Sequence, residues 1–141
     1  MNVVIIEDEK LIAEALEDEL RLIDPNINVI QLLPSVKSGI DYFQANGFPD
    51  LIFSDIQLGD GLSFDIFGQF EFTTPIIFCT AFDEFALQAF KSNGVDYILK
   101  PFTTKDIEKA IVKIKSIGSP QIDQTILNAI QQITHLSAES K

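Results

Sequence analysis

Apolar, β-branched bursts alternate with amphipathic stretches along this chain. Val3-Val4-Ile5-Ile6 has no polar break, the pattern of a strand buried on both faces. Lys10 to Ile23 then carries Ile12, Leu16, Leu20 and Ile23 at helical spacing, and Asp24-Pro25-Asn26 stops it. Asn28 to Leu33 is the second strand. Ser35 is placed to cap a helix that turns Val36, Ile40 and Phe43 to one side, and Gly47-Phe48-Pro49 breaks it. Leu51-Ile52-Phe53 is the third strand, ending at Ser54-Asp55. The loop Gly59-Asp60-Gly61 and a short, weakly periodic helix through Phe64 and Phe67 follow. Pro75 to Cys79 is the fourth strand, ending at Thr80. Asp83 to Asn93 is expected as a helix with Ala86, Ala89 and Phe90 inward and Gly94 as its cap. Val95 to Leu99 is the fifth strand, ending at Lys100-Pro101. Thr103 with Asp106 resembles a capping box and opens a last helix on Ile107, Ala110, Ile111 and Ile114.

Five strand–helix units with fully apolar strands predict an α/β fold: a parallel, doubly wound sheet. The expected domain covers residues 1–117. Ile117-Gly118-Ser119-Pro120 then reads as stop-and-restart punctuation. In the remainder, 118–141, Ile122, Ile126, Ile130 and Ile133 recur at spacings of four, four and three, which predicts an amphipathic helical tail. A single helix of that length is marginal in water. It is expected to dock on its own domain, on a twin chain, or on a domain downstream.

Composition narrows the function. At 141 residues and 46% apolar, the chain is long enough for one core. No run approaches the length of a membrane span, and the start has no basic region before its apolar stretch, so neither a span nor a secretory signal is expected. Cys79 is the only cysteine, which rules out an internal disulfide and points to a reducing, cytoplasmic setting. A net charge of −11 argues against direct nucleic-acid binding by this segment. His135, the only histidine, lies in the tail and is read as a polar face residue.

In open α/β sheets, chemistry gathers at the carboxyl ends of the strands. There this sequence places Glu7-Asp8, Asp55, Thr80 and Lys100. Three carboxylates in one place repel each other. A hard divalent cation such as Mg²⁺ relieves that and commonly bridges carboxylates to phosphate. Lys100 offers a point charge and Thr80 a hydroxyl for phosphoryl oxygens. The set fits an aspartyl phosphate formed on Asp55 as nucleophile. Singly, each residue has a plainer reading: Asp8 as a helix cap, Asp55 as a turn residue, Thr80 as a cap, Lys100 as a solvated lysine. Their joint placement carries the argument.

These residues resemble the receiver domain of two-component response regulators over about residues 1–117. Glu7-Asp8 matches the acidic pair and Asp55 the phosphoacceptor. Thr80-Ala81 matches the switch hydroxyl and the small residue after it, Tyr97 the switch aromatic, and Lys100-Pro101-Phe102 the lysine and its usually cis proline. The stretches Thr80 to Leu87 and Asp96 to Phe102 resemble the LytTR-type subclass, whose receivers usually precede a mostly β DNA-binding domain. The resemblance implies a flavodoxin-like sheet of order 2-1-3-4-5 and Mg²⁺ on Glu7, Asp8, Asp55 and the Gln57 carbonyl. It implies phosphoryl transfer from a sensor histidine kinase, followed by movement of Thr80 and then Tyr97. It also implies a homodimer formed on activation through the fourth helix, fifth strand and fifth helix, where Phe82, Phe85 and Leu87 add apolar character. The chain would be a phosphoacceptor that promotes its own phosphorylation and slow dephosphorylation, not an enzyme. It would be a piece of a longer transcription regulator or a stand-alone receiver acting by protein–protein contact.

Two positions depart from the family pattern. Gly59 stands where many receivers have proline, which predicts a more mobile loop. Gln57 and Phe82, two residues past Asp55 and Thr80, would flank the path of the hydrolytic water, and a phenylalanine there excludes water without orienting it. Slow loss of phosphate is therefore expected. Three rivals fare worse. A haloacid-dehalogenase-type phosphatase needs a second acid at position 57. A degenerate docking module would lack some of the functional residues. A dinucleotide-binding domain needs glycines in the first loop, where Glu7 to Lys10 has none.

Overall fold

The computed structural model describes residues 1–116. The tail helix expected over 118–141, the docking of that tail and His135 lie outside the described residues. The elements are β1 (Asn2–Ile6), α1 (Lys10–Ile23), β2 (Asn28–Leu33), α2 (Val36–Asn46), β3 (Leu51–Ser54), β4 (Gln57–Leu58), β5 (Gly61–Leu62), α3 (Phe64–Phe67), β6 (Ile76–Thr80), α4 (Ala86–Lys91), β7 (Gly94–Leu99) and α5 (Thr104–Lys115). The main sheet has five strands in the order β2-β1-β3-β6-β7, and every pairing in it is parallel. With the small β4–β5 ribbon set aside, that is the expected order 2-1-3-4-5.

Side-chain alternation divides the core at the sheet. Val3, Ile5, Leu51, Phe53, Ile77 and Cys79 face α1 and α5. Val4, Ile6, Ile52, Ile76 and Phe78 face α2, α3 and α4. Each central strand therefore reads as a continuous apolar run because both of its faces are dry. Both expected caps are present. The Ser35 hydroxyl accepts from the Ser38 amide, and the Thr103 hydroxyl accepts from the Asp106 amide, each with a reciprocal bond.

Three expectations need correction. The helix expected over 83–93 occupies only 86–91. The Phe82 carbonyl, which would accept the first bond of the longer helix, instead accepts from the Tyr97 hydroxyl, and the Phe82 amide is turned toward Thr80 Oγ1 at 3.4 Å. The loop at 59–61 is the turn of an antiparallel ribbon pairing Gln57 with Leu62 and Leu58 with Gly61. Asp60 anchors it: its carboxylate accepts from the Val36 and Lys37 amides at 2.8 and 3.0 Å, at the start of α2. Those two bonds hold the Asp60 carboxyl below its usual range.

Gly94 is not a helix cap. The left-handed residue after α4 is Asn93, at φ 66°, and Gly94 opens β7. A Cβ on Gly94 would lie 2.5 Å from the Ala89 carbonyl oxygen and 2.8 Å from its carbon, so the backbone itself forbids a side chain. Gly94→Ala is expected to cost about 2 to 3 kcal/mol by forcing α4 off β7. Gly59→Ala should be near neutral, because no atom lies within 4 Å of the position its Cβ would take. Urea unfolding of the two variants checks this; equal midpoints would refute it.

Candidate functional site: an acidic cluster with a bridging lysine

Strand register brings the predicted residues together. Ile6 pairs with Ser54, and the Asp55 amide donates to the Ile6 carbonyl at 2.8 Å, so Glu7-Asp8 and Asp55 leave adjacent strands side by side. Thr80 pairs with Leu99, and the Lys100 amide donates to the Thr80 carbonyl at 2.8 Å. The β1, β3, β6 and β7 ends thus meet at one edge. Carboxylate oxygens of Glu7, Asp8 and Asp55 lie within 4.8 Å of one another.

Lys100 joins the cluster. Its Nζ donates to Glu7 Oε1 at 2.5 Å and to Asp55 Oδ2 at 2.8 Å. The plainer reading of Lys100 as a solvated lysine therefore fails. Burial alone would lower the Lys100 ammonium, but the bonds to Asp55 and Glu7 outweigh it and hold the group above the ordinary lysine value. Asp55 Oδ1 accepts from the Ile56 amide at 2.7 Å, which fixes the carboxylate plane and leaves Oδ2 toward Lys100. Asp8 is exposed and is not the cap of α1. That position is Glu9, and no side chain caps the helix there. Asp8 and Gln57 line one cleft with Leu58, Gly61 and Leu62, beside the acidic cluster.

Thr80 is completely buried. Tyr97 is half-buried, with its ring against the α2–α4 side of the core and its hydroxyl donating to the Phe82 carbonyl. Burial pushes the Tyr97 phenol up to about 12. The Lys100–Pro101 peptide is cis. Cys79 is buried below the site, and burial raises its thiol well above the usual range, so it is an inert core residue.

Glu7 is 6% exposed, and its carboxyl is raised from 4.5 to about 7 because burial outweighs its bond from Lys100. Between those values the folded chain keeps a proton that the unfolded chain has lost. This group's contribution to stability is therefore full below 4.5, declines as pH rises, and is lost above about 7. Glu7→Gln should remove that decline. Urea unfolding at pH 5 and pH 8 without divalent cations measures it, and an identical pH dependence in parent and variant would refute it.

The sequence places Glu7, Asp8, Asp55, Thr80 and Lys100 on this edge, and Tyr97 lies within β7, paired with Phe78. Asp60 is not announced in this way: its partner amides lie more than twenty positions earlier in the chain. Nor is the Tyr97–Phe82 bond, which no local pattern marks.

A doubly wound sheet with acids, a hydroxyl and a lysine at its carboxyl edge defines a phosphoryl-handling switch module in class. Residues 3–112 match the family model of the response regulator receiver domain. The chain belongs to that family, the phosphorylation-activated receivers of two-component response regulators. It is 36% identical over 133 residues to the sensory transduction protein LytR of Streptococcus mutans, covering 89% of this chain and 53% of the relative. It is 31% identical over 140 residues to the transcriptional regulatory protein BtsR of Salmonella typhi, covering 94% and 55%. The chain thus spans about half the length of these curated relatives. Among solved structures it resembles the response regulatory domain of protein mrkE from Klebsiella pneumoniae, with TM-score 0.74 and 27% identity over 88% of this chain and 99% of that one. Among the described residues, no helix is long and apolar enough to cross a membrane.

Proposed function

We propose that Asp55 accepts a phosphoryl group from the phosphohistidine of a sensor histidine kinase. A carboxylate oxygen of Asp55 attacks phosphorus, the P–N bond breaks, and the imidazole leaves with its electron pair. The observation that carries this reading is the Lys100 ammonium bridging Glu7 and Asp55 at the strand ends. Lys100 is placed to exchange its contact with Asp55 Oδ2 for one with a phosphoryl oxygen. Glu7, Asp8, Asp55 and the Gln57 carbonyl would hold Mg²⁺, which supplies charge neutralisation for the incoming phosphoryl oxygens. Close-set carboxylate oxygens of mixed exposure suit such an ion. By offering this environment the chain promotes its own phosphorylation and later its own slow dephosphorylation.

The switch uses Thr80 and Tyr97. The Thr80 hydroxyl turns toward the new phosphoryl oxygen, and the Phe82 amide beside it loses its contact. The Phe82 carbonyl then shifts, the Tyr97 hydroxyl releases it, and the ring moves inward. A phosphoryl group biases this equilibrium only by its different contacts in the two states. The surface that changes is made by α4, β7 and α5. There the exposed Leu99 sits among Asp96, Asp106, Lys109 and Lys113, a mixed-charge surface able to pair with a second copy. We infer a homodimer on activation and control of a DNA-binding output domain in the longer regulator, with no direct nucleic-acid contact by this segment. The regulator reading is favoured over a stand-alone receiver because the curated relatives are about twice as long. The buried, unpaired Cys79 is consistent with a cytoplasmic setting.

The test is mass spectrometry after incubation with acetyl phosphate and Mg²⁺. A gain of one phosphoryl group that requires Mg²⁺ is expected. No gain by the folded protein would overturn the reading in favour of a docking module.

A further inference from the structure

On the reading of Glu7, Asp8, Asp55 and the Gln57 carbonyl as a Mg²⁺ site, we propose that Asp60 is its positioning residue. By clamping the β4–β5 ribbon to the start of α2, the Asp60 carboxylate holds one wall of the cleft in which the cation would sit. The ribbon begins at Gln57, two residues past Asp55, and pairs only Gln57 with Leu62 and Leu58 with Gly61. So short a ribbon does not hold its shape alone. Its turn adds little: nothing lies within 4 Å of the place a Cβ on Gly59 would take, and glycine loses more freedom on ordering than any other residue.

The wall is therefore fixed from outside. Leu58 is buried in the core on the α2–α4 side. Gly61, at φ 147°, lies against α2, where a Cβ would come 3.5 Å from Val36 Cγ2. Asp65 Oδ2 accepts from the Leu62 amide at 3.2 Å. Asp60 makes the two shorter ties, accepting from the Val36 amide at 2.8 Å and the Lys37 amide at 3.0 Å. Both are charge-assisted, and both complete the start of α2. The first amides of a helix have no partner within it. Ser35 Oγ takes that of Ser38, and Asp60 takes those of Val36 and Lys37. The same two bonds thus finish the helix and hold the ribbon. Across a cleft of about 340 Å³ the ribbon faces Asp8. A ribbon that drifts carries the Gln57 carbonyl away from the carboxylate oxygens of Glu7, Asp8 and Asp55, which lie within 4.8 Å of one another. Linkage makes the coupling reciprocal: if the clamp favours the filled cleft, filling the cleft protects the Val36 and Lys37 amides.

Calorimetric titration of the full 141-residue chain with Mg²⁺ alone, without phosphodonor, tests this. Asp60 is exposed, so its substitution leaves the core intact. Asp60→Ala should weaken Mg²⁺ binding about fivefold to tenfold. Asp60→Asn loses the same charge but keeps one acceptor, so its affinity should fall between those of Asp60→Ala and the parent. Equal losses in the two variants would reduce Asp60 to a distant charge and overturn the proposal. Val36→Pro leaves every charge in place and removes one clamped amide at the first helical position, where proline fits after the extended Ser35. It should weaken binding at least about threefold. Amide exchange supplies the second readout. Saturating Mg²⁺ should slow exchange at Val36 and Lys37 in the parent and leave it unchanged in Asp60→Ala. Affinity unchanged in Asp60→Ala, or parent amides indifferent to Mg²⁺, would sink the positioning role alone. No Mg²⁺ binding by the folded parent would overturn the cation reading of the cluster and the role of Asp60 together.

Discussion

Asp55→Asn is expected to abolish phosphoryl uptake while leaving the fold close to the parent in stability or above it. The two halves of that outcome have separate causes. An amide has no carboxylate lone pair to attack phosphorus, so the acceptor is gone. The structural duties of Asp55 are lighter. Its Oδ1 accepts the Ile56 amide at 2.7 Å, which the amide oxygen of asparagine can still do. Its Oδ2 shares Lys100 with Glu7, and Lys100 keeps its 2.5 Å bond to Glu7 when Asp55 is neutralised. Removing one of three crowded carboxylates also relieves like-charge repulsion. The stability change should therefore lie within about 1 kcal/mol of zero or on the stabilising side. Intact-mass measurement with acetyl phosphate and Mg²⁺ reads the first half, and urea unfolding reads the second. Residual uptake by the folded Asp55→Asn variant would move the acceptor to another acid. Uptake lost together with more than about 3 kcal/mol of stability would make Asp55 a structural residue first.

The positions that support this reading are legible in the sequence because of how this sheet is built. A strand dry on both faces must be apolar throughout, so Val3 to Ile6, Leu51 to Phe53 and Ile76 to Cys79 stand out. The first polar residue after each must then lie at the sheet edge. Glu7, Asp55 and Thr80 are those residues or their immediate neighbours, and Lys100 follows Leu99 in the same way. What escaped was set by tertiary contact. The start of α4 is fixed by Tyr97 taking the Phe82 carbonyl, a bond across fifteen residues. The left-handed turn falls on Asn93, and Gly94, where a Cβ would meet the Ala89 backbone, opens β7. Asp60 could cap α2 only after the ribbon had folded back. Gly59 and Gly61 are visible in sequence, whereas nothing there shows the amides of Val36 and Lys37 to be neighbours of the loop they anchor.

Phe82→Glu is expected to shorten the lifetime of the phosphorylated protein by about tenfold to a hundredfold. Phe82 is 36% exposed at the site's rim, and its ring meets Phe85 edge-on with centroids 6.3 Å apart. In the proposed mechanism it presents hydrocarbon beside the path of the attacking water, so water would be neither oriented nor deprotonated there. A carboxylate at that position can accept a proton from the water, and positioned general bases contribute on the order of a hundredfold or more. The lower figure allows for Gln57 on the facing ribbon, which already offers a polar side chain, and for repulsion between the new carboxylate and the phosphoryl group. The substitution is clean because Phe82's contacts to the switch are made by its backbone. Its amide faces Thr80 Oγ1 and its carbonyl accepts from Tyr97, so neither bond depends on the ring. Decay of the phosphorylated mass after removal of phosphodonor measures the lifetime. Phe82→Ala separates the two causes. If exclusion of water by bulk were the whole effect, Ala would accelerate decay as much as Glu. If orientation and proton acceptance dominate, Ala leaves the lifetime near that of the parent and only Glu shortens it. An unchanged lifetime in both variants would mean that water reaches Asp55 by another path and that Phe82 takes no part in setting the duration of the signal.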